Sequence, residues 1–282
     1  MKKVFISGRI PNNAKELLSK HFEVISHEGE DLLSSQEIAE GAKEADALLC
    51  LLSDPITAEV MEGAKNLKII ANYGAGFNNI DLVTATNLKI PVTNTPKVST
   101  NATADMTWAL ILGIARRVVE GDKLTRAGGF TGWAPLFFLG TEVTGKTLGI
   151  FGMGNIGKAV ARRAKGFDMK VIYNSRTRLS VEEETSLGIT YVSLEELLKD
   201  SDFLTLHSSY SPELHHLIGE KELHQMKSSA FLINAARGPI IDEVALAEVL
   251  KNKVIAGAGL DVYEFEPKVA EGLLTLDNVI LA

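Results

Sequence analysis

Leu148-Gly149-Ile150-Phe151-Gly152-Met153-Gly154-Asn155-Ile156-Gly157-Lys158-Ala159-Val160 is the stretch whose reading decides the fold. The apolar run Thr147 to Phe151 predicts a buried strand. Three glycines follow at G-x-G-x-x-G spacing, and a helix with alanine and valine at close spacing begins at once. Gly152 permits a tight turn, and Gly154 lets backbone approach a pyrophosphate with no Cβ in the way. Gly157 lets the helix press on the strand. Asn155 and Ile156 open the helix, where free amide groups and the helix dipole favour an anion. A second strand, Lys170 to Asn174, arrives at the distance a βαβ unit requires. The flanking strand and helix raise the glycine pattern from a common turn to a predicted dinucleotide site.

Outward from that unit the chain keeps one rhythm. Before it, strands are predicted at Lys3–Ser7, Phe22–Ser26, Ala47–Leu52, Leu67–Asn72 and Pro91–Thr93, with helical patterns between them. After it, strands are predicted at Thr190–Val192, Phe203–His207, Ala230–Asn234, Ile255–Ala258 and Val279–Leu281. Strands parted by helices imply parallel sheets covered on both faces. At 282 residues the chain exceeds what one core usually holds, so two α/β domains are expected, residues 1–98 and 99–282. Ser99 to Val119 reads as a single long linking helix. The loop Gly128 to Phe138, rich in glycine and aromatic residues, has no periodicity and is expected to pack on a ligand or a second subunit.

Composition removes several function classes. A net charge of −7 opposes nucleic acid, whose phosphates need a basic face. The opening Met1-Lys2-Lys3 leads directly into a short strand, which is too brief for a signal peptide or a membrane span. The one cysteine, Cys50, lies in an apolar run, consistent with a reducing cytoplasm. No metal site is expected, because the histidines lack cysteine or carboxylate partners at ligand spacing. His215-His216 is read as a solvated turn.

In a doubly wound sheet, ligands gather beyond the carboxyl ends of the strands. Those ends hold Gly152–Gly157, Ser175-Arg176, His207-Ser208, Asn234-Ala235-Ala236-Arg237-Gly238 and Asp261. Arg237 follows an apolar strand and precedes Gly-Pro, so its planar fork is expected in the cleft, gripping a carboxylate. After Val171–Asn174 the chain carries Ser175, Arg176 and Thr177 where an NAD enzyme usually has an acid. With no carboxylate there to repel a 2′-phosphate, NADP(H) is preferred and NAD(H) remains possible.

With these residues in view, the chain resembles the D-isomer-specific 2-hydroxyacid dehydrogenase family, within its glyoxylate/hydroxypyruvate reductase and 2-ketogluconate reductase branch. Nearly the whole chain takes part. The likeness includes Asn72-Tyr73-Gly74-Ala75-Gly76-Phe77-Asn78-Asn79-Ile80-Asp81, the glycine motif, Asn234 to Gly238, and Gly259-Leu260-Asp261-Val262-Tyr263-Glu264-Phe265-Glu266-Pro267. The resemblance implies a Rossmann-type nucleotide-binding domain beside a flavodoxin-like substrate domain, with a cleft between them. It implies Arg237 and Glu266 as catalytic residues. Ala75 and Gly76 fall on a backbone cradle for the substrate carboxylate. His207, Ala235 and Asp261 fall on the cofactor side, Asp261 near the nicotinamide. The Trp133–Phe138 loop matches a segment that reaches across a homodimer.

One departure weighs most. The resemblance puts a catalytic histidine in a Pro-His stretch after Asn278–Leu281, and the sequence ends at Ala282. The natural chain is therefore expected to continue, with that histidine and a final helix returning to the substrate domain. Reduction of a 2-keto acid needs a hydride at carbon and a proton at oxygen; a histidine beside a glutamate suits the second task. His207 is an alternative proton donor within the sequence. The expected activity is NAD(P)H-dependent reduction of a small 2-keto acid. A non-catalytic NAD(P)(H) sensor or corepressor-like protein is the alternative, and formate dehydrogenase is a more distant one.

Overall fold

Short apolar runs alternate with helices throughout the computed structural model, which describes residues 1–282, and all of its paired strands run parallel. The chain divides into two units, Met1–Ser99 and Thr100–Ala282.

The first unit runs β1 (Lys3–Ile6), α1 (Asn12–Ser19), β2 (Glu23–Ser26), α2 (Ser35–Ala42), β3 (Ala47–Leu51), α3 (Ala58–Gly63), β4 (Ile69–Tyr73), α4 (Leu82–Asn87) and β5 (Val92–Thr93). Its sheet has the order β2-β1-β3-β4-β5, the flavodoxin-like doubly wound arrangement. Ile6, Leu48, Cys50 and Ile70 on the inner strands are fully buried. Ser34 starts α2 with a capping box: its hydroxyl accepts from the Glu37 amide while Glu37 accepts from the Ser34 amide.

The second unit opens with α5 (Thr100–Ala115) and α6 (Val118–Arg126). It continues with β6 (Thr147–Phe151), α7 (Asn155–Ala164), β7 (Lys170–Asn174), α8 (Val181–Leu187), β8 (Ile189–Tyr191), α9 (Leu194–Asp200) and β9 (Phe203–Leu206). Last come α10 (Glu220–Leu223), β10 (Phe231–Asn234), α11 (Glu243–Lys251), β11 (Gly257–Leu260) and β12 (Val279–Leu281). The sheet order is β12-β11-β10-β9-β6-β7-β8. The winding therefore reverses beside β6, between β7 on one side and β9 on the other, which is where a doubly wound sheet opens a crevice at its carboxyl edge. Small residues make α7 lie close to the sheet: Gly157, Ala159, Val160, Ala161 and Ala164 are all buried.

Two expectations need correction. The linking helix is not continuous: Arg117 adopts a left-handed φ of 54° and separates α5 from α6. Neither glycine nor proline marks this break. Tertiary contacts hold it instead, since the Arg117 guanidinium binds Glu120, lies 4.0 Å over the Phe138 ring and donates to the Leu139 carbonyl. The Thr141 amide also claims the Ala115 carbonyl at 2.7 Å. The strand predicted at Ile255–Ala258 lies at Gly257–Leu260, two residues later. Its glycines have low strand propensity, yet α5 passes so closely that a Cβ at Gly259 would stand 3.0 Å from that of Leu110. No helix is long and apolar enough to cross a membrane.

Candidate functional site

The Gly152–Gly157 bend is built by the strands on either side of it. The Gly152 amide donates to the Asn174 carbonyl at 2.8 Å, and the His207 amide donates to the Phe151 carbonyl at 2.7 Å. Gly152 has φ 95°, and a Cβ there would collide with the His207–Ser208 peptide. At Gly157 a Cβ would run into the Gly152 carbonyl. Both glycines are thus required by the protein itself. Gly154 is different, because a Cβ would meet nothing within 4 Å. Open space over backbone at the start of α7, where no side chain caps the Asn155–Ile156 turn, fits a pyrophosphate.

His207 supplies a second indication that a ligand belongs here. Both of its ring nitrogens are buried without a hydrogen-bond partner, and burial pushes its pKa down to about 4. Burial thus favours its neutral form, in which one ring nitrogen can donate and the other accept a hydrogen bond.

Beyond β7, Ser175 donates its hydroxyl to the Thr177 carbonyl at 2.6 Å, closing a small turn that leaves Arg176 exposed. Arg178, one turn position further, is committed elsewhere. Its Nε and Nη2 meet the Glu184 carboxylate at 2.8 and 2.9 Å, and Tyr173 donates to the same group at 2.8 Å. Those bonds hold Glu184 at a pKa of about 2.

The other strand ends carry charge. Asn234 shapes the turn after β10: its Oδ1 accepts from the Ala236 amide and its Nδ2 donates to the Arg237 carbonyl, both at 3.0 Å. Ala235 and Ala236 are buried. The Arg237 guanidinium donates to the Ala236 carbonyl at 2.7 Å; burial lowers its pKa, while the nearby Glu266 charge opposes that shift. Glu266 follows β11 and accepts from the Tyr263 amide at 3.0 Å. Asp261 ends the same strand, its pKa raised by burial and by Glu266. Since β9 lies between β6 and β10, the glycine bend and Arg237 leave the same edge of one sheet.

In the first unit, Ala75 and Gly76 lie on the turn after β4. Each carbonyl of that turn is held from within. Gly74 accepts from the Thr95 amide at 2.9 Å, Ala75 from Asn94 Nδ2 at 2.8 Å, and Gly76 from Asn72 Nδ2 at 2.5 Å. With its carbonyls fixed this way, the turn is a backbone surface suited to donating amides to an anion.

Sequence spacing missed a further group. His216 is not simply solvated: its Nε2 lies 2.6 Å from Glu264 Oε1, and the ring stacks on His215 at 4.0 Å. The ligand atoms of His215, His216 and Glu264 lie within 4.8 Å of one another, brought together by turns after different strands.

Comparison with known proteins adds independent findings. The family model described as "D-isomer specific 2-hydroxyacid dehydrogenase, NAD binding domain" matches residues 108–282. A Staphylococcus aureus protein classed as a 2-hydroxyacid dehydrogenase is 54% identical over 281 residues, covering 100% of this chain and 88% of the relative. A crystal structure from Thermus thermophilus superposes with a TM-score of 0.91 at 41% identity, over 99% of this chain and 88% of the other. An NADPH-dependent glyoxylate/hydroxypyruvate reductase from Sinorhizobium meliloti, solved with NADP and malonate, superposes with a TM-score of 0.86 at 31% identity. That match covers 99% of this chain and 85% of the other.

Proposed function

Because the chain belongs to the D-isomer-specific 2-hydroxyacid dehydrogenase family, and is thus an NAD(P)-dependent oxidoreductase of small 2-hydroxy and 2-keto acids, we propose that it reduces glyoxylate, hydroxypyruvate or 2-ketogluconate to the D-2-hydroxy acid. One observation carries this reading: Arg237 and Glu266 leave the same sheet edge as the glycine bend, with their charges acting on each other. A relative of known structure is named for the same reaction class.

In this reading residues 100–282 bind the dinucleotide and the first unit serves the substrate. Bound NADPH supplies the hydride. Arg237 grips the substrate carboxylate with its fork and polarises the carbonyl, and its burial strengthens both effects by excluding water. Glu266 holds a protonated donor in place and favours its cation. Ala75 and Gly76 offer amides to a carboxylate. His207, Ala235 and Asp261 line the cofactor side. Ser175, Arg176 and Thr177 select NADP(H) over NAD(H), with Arg176 as the exposed cation for a 2′-phosphate.

The full-length protein is expected to consume NADPH with at least one of these three acids. Binding of NADPH with no turnover of any of them would overturn the reading in favour of a sensor. Trp133 and Leu136 are 96% and 85% exposed on the Gly128–Phe138 loop, which supports a homodimer formed through that loop. Trp133→Ala is expected to shift sedimentation toward monomer.

A further inference from the structure

Beside Arg237 and Glu266 stands a group of charged residues to which the reaction gives no task. Glu243 opens α11 just after its Asp242 cap and is 1% exposed. One of its oxygens accepts from the Glu264 amide at 2.7 Å, the other from the Ala270 amide at 3.4 Å. Glu264 reciprocates, accepting from the Glu243 amide at 3.5 Å. Its other oxygen meets His216 Nε2 at 2.6 Å, and His216 Nδ1 lies 3.8 Å from Asp242 Oδ2.

Three turns are joined by this network, each following a different strand. His216 belongs to the one after β9, and its amide also donates to the Pro239 carbonyl at 2.9 Å. Arg237, Pro239 and Asp242 belong to the turn after β10, and Glu264, Glu266 and Ala270 to the segment after β11. Glu243 therefore fastens the chain on both sides of Glu266, at positions 264 and 270. At Gly238 the β10 turn lies so flat against Tyr263 and Glu264 that a Cβ would overlap their backbone.

A carboxylate at that depth is a poor way to gain stability. Removing it from water is unfavourable, and its bonding partners are amides rather than a cation. Burial and the charges of Glu264 and Glu266 raise its pKa accordingly. What the arrangement achieves is location, because two amides of one loop are fixed to the first turn of a helix.

We propose that Glu243, with His216 acting through Glu264, is a positioning residue that sets where Glu266 stands relative to Arg237. This rests on the proposed function and deepens it. In this reading the group acts indirectly, by holding the segment that carries Glu266.

The test uses the full-length protein with Glu243→Ala, Glu243→Gln and His216→Ala. Because a misplacement of about 1 Å can cost up to about a hundredfold, Glu243→Ala is expected to lower kcat per folded molecule by about tenfold or more. His216→Ala is expected to act in the same direction. Dissociation constants for NADPH should change far less than kcat, because Glu243 bonds to the segment around Glu266 and not to the Gly152–Gly157 bend. Glu243→Gln keeps an oxygen for the Glu264 amide and should restore kcat to within about threefold, well short of the misplacement penalty. A wild-type kcat in Glu243→Ala, or a lower melting temperature with kcat per folded molecule unchanged, overturns the proposal. If wild type itself reduces no 2-keto acid, the functional reading has failed, and the crystal structure of Glu243→Ala still decides the local claim. Glu264–Glu266 found in its original place refutes positioning; a displaced segment supports it.

Discussion

The two units share a parallel, doubly wound plan and treat charge at their carboxyl edges in opposite ways. The second unit presents side-chain charge: Arg237, Glu266 and Asp261 all follow its strands, and Arg176 stands exposed. The first unit turns its polar groups inward. Asp54 is 1% exposed and accepts from the Ser7 hydroxyl and, at 2.6 Å, from the Leu51 amide. Asn79 Nδ2 donates to the Leu51 and Asp54 carbonyls at 3.0 and 3.2 Å, while Asn72 and Asn94 hold the glycine turn. On the proposed function, one edge would bind by side-chain charge and the other by backbone amides whose orientation is set from beneath.

The comparison breaks most easily at Arg237. Arg237→Ala is expected to lower kcat/KM for the keto acid by about 10²–10³, the usual loss when a preorganised donor to the reacting group is removed. An unchanged kcat/KM would show that the charged edge is not the reacting one. Asn72→Ala probes the other edge. It frees the Gly76 carbonyl and leaves buried groups unpaired, at a cost of about 1–3 kcal/mol, and the loosened turn should raise KM with little change in kcat. A fall in kcat as large as that of Arg237→Ala would erase the distinction between the two edges.

Two smaller effects sharpen the picture within the second unit. Arg176→Ala is expected to raise KM for NADPH by about tenfold, equivalent to about 1.4 kcal/mol, and to leave KM for NADH unaltered. Equal effects on both cofactors would remove Arg176 from the 2′-phosphate. Glu184 provides a control in which charge is structural. Its pKa is depressed from 4.5 to about 2 by Arg178 and Tyr173, so its stabilising contribution is complete above 4.5 and is lost as pH falls through about 2. Melting curves of Glu184→Gln should fall below wild type at neutral pH and converge with it at the acid end of that window. A gap that stays constant with pH would mean that the ion pair is not its source.

How much was legible in the residues depended on whether the cause was local. Thr147–Phe151 and Lys170–Asn174 emerge with the expected limits, because an apolar run closed by glycine or by a polar strand end carries its own boundaries. Arg237 could be singled out because Asn-Ala-Ala-Arg-Gly-Pro ends a strand with a break and a charge. The Arg117 break could not, since it depends on Phe138 and Leu139, some twenty residues later. Glycine-rich β11 was displaced because its strand character comes from α5 packing on it rather than from propensity. The His216–Glu264–Glu243 network joins residues that are neighbours only through sheet order, and no periodicity announces such contacts.

The pinned carbonyls of Gly74, Ala75 and Gly76 have a consequence for anyone who wishes to redirect this enzyme. The proposed recognition through main-chain amides would offer no side chain to exchange, so a mutational library aimed at that turn would have almost nothing to vary except the turn's integrity. On that proposal, altered preference among acids of different size would have to be selected at positions whose side chains, rather than peptide groups, meet the incoming molecule.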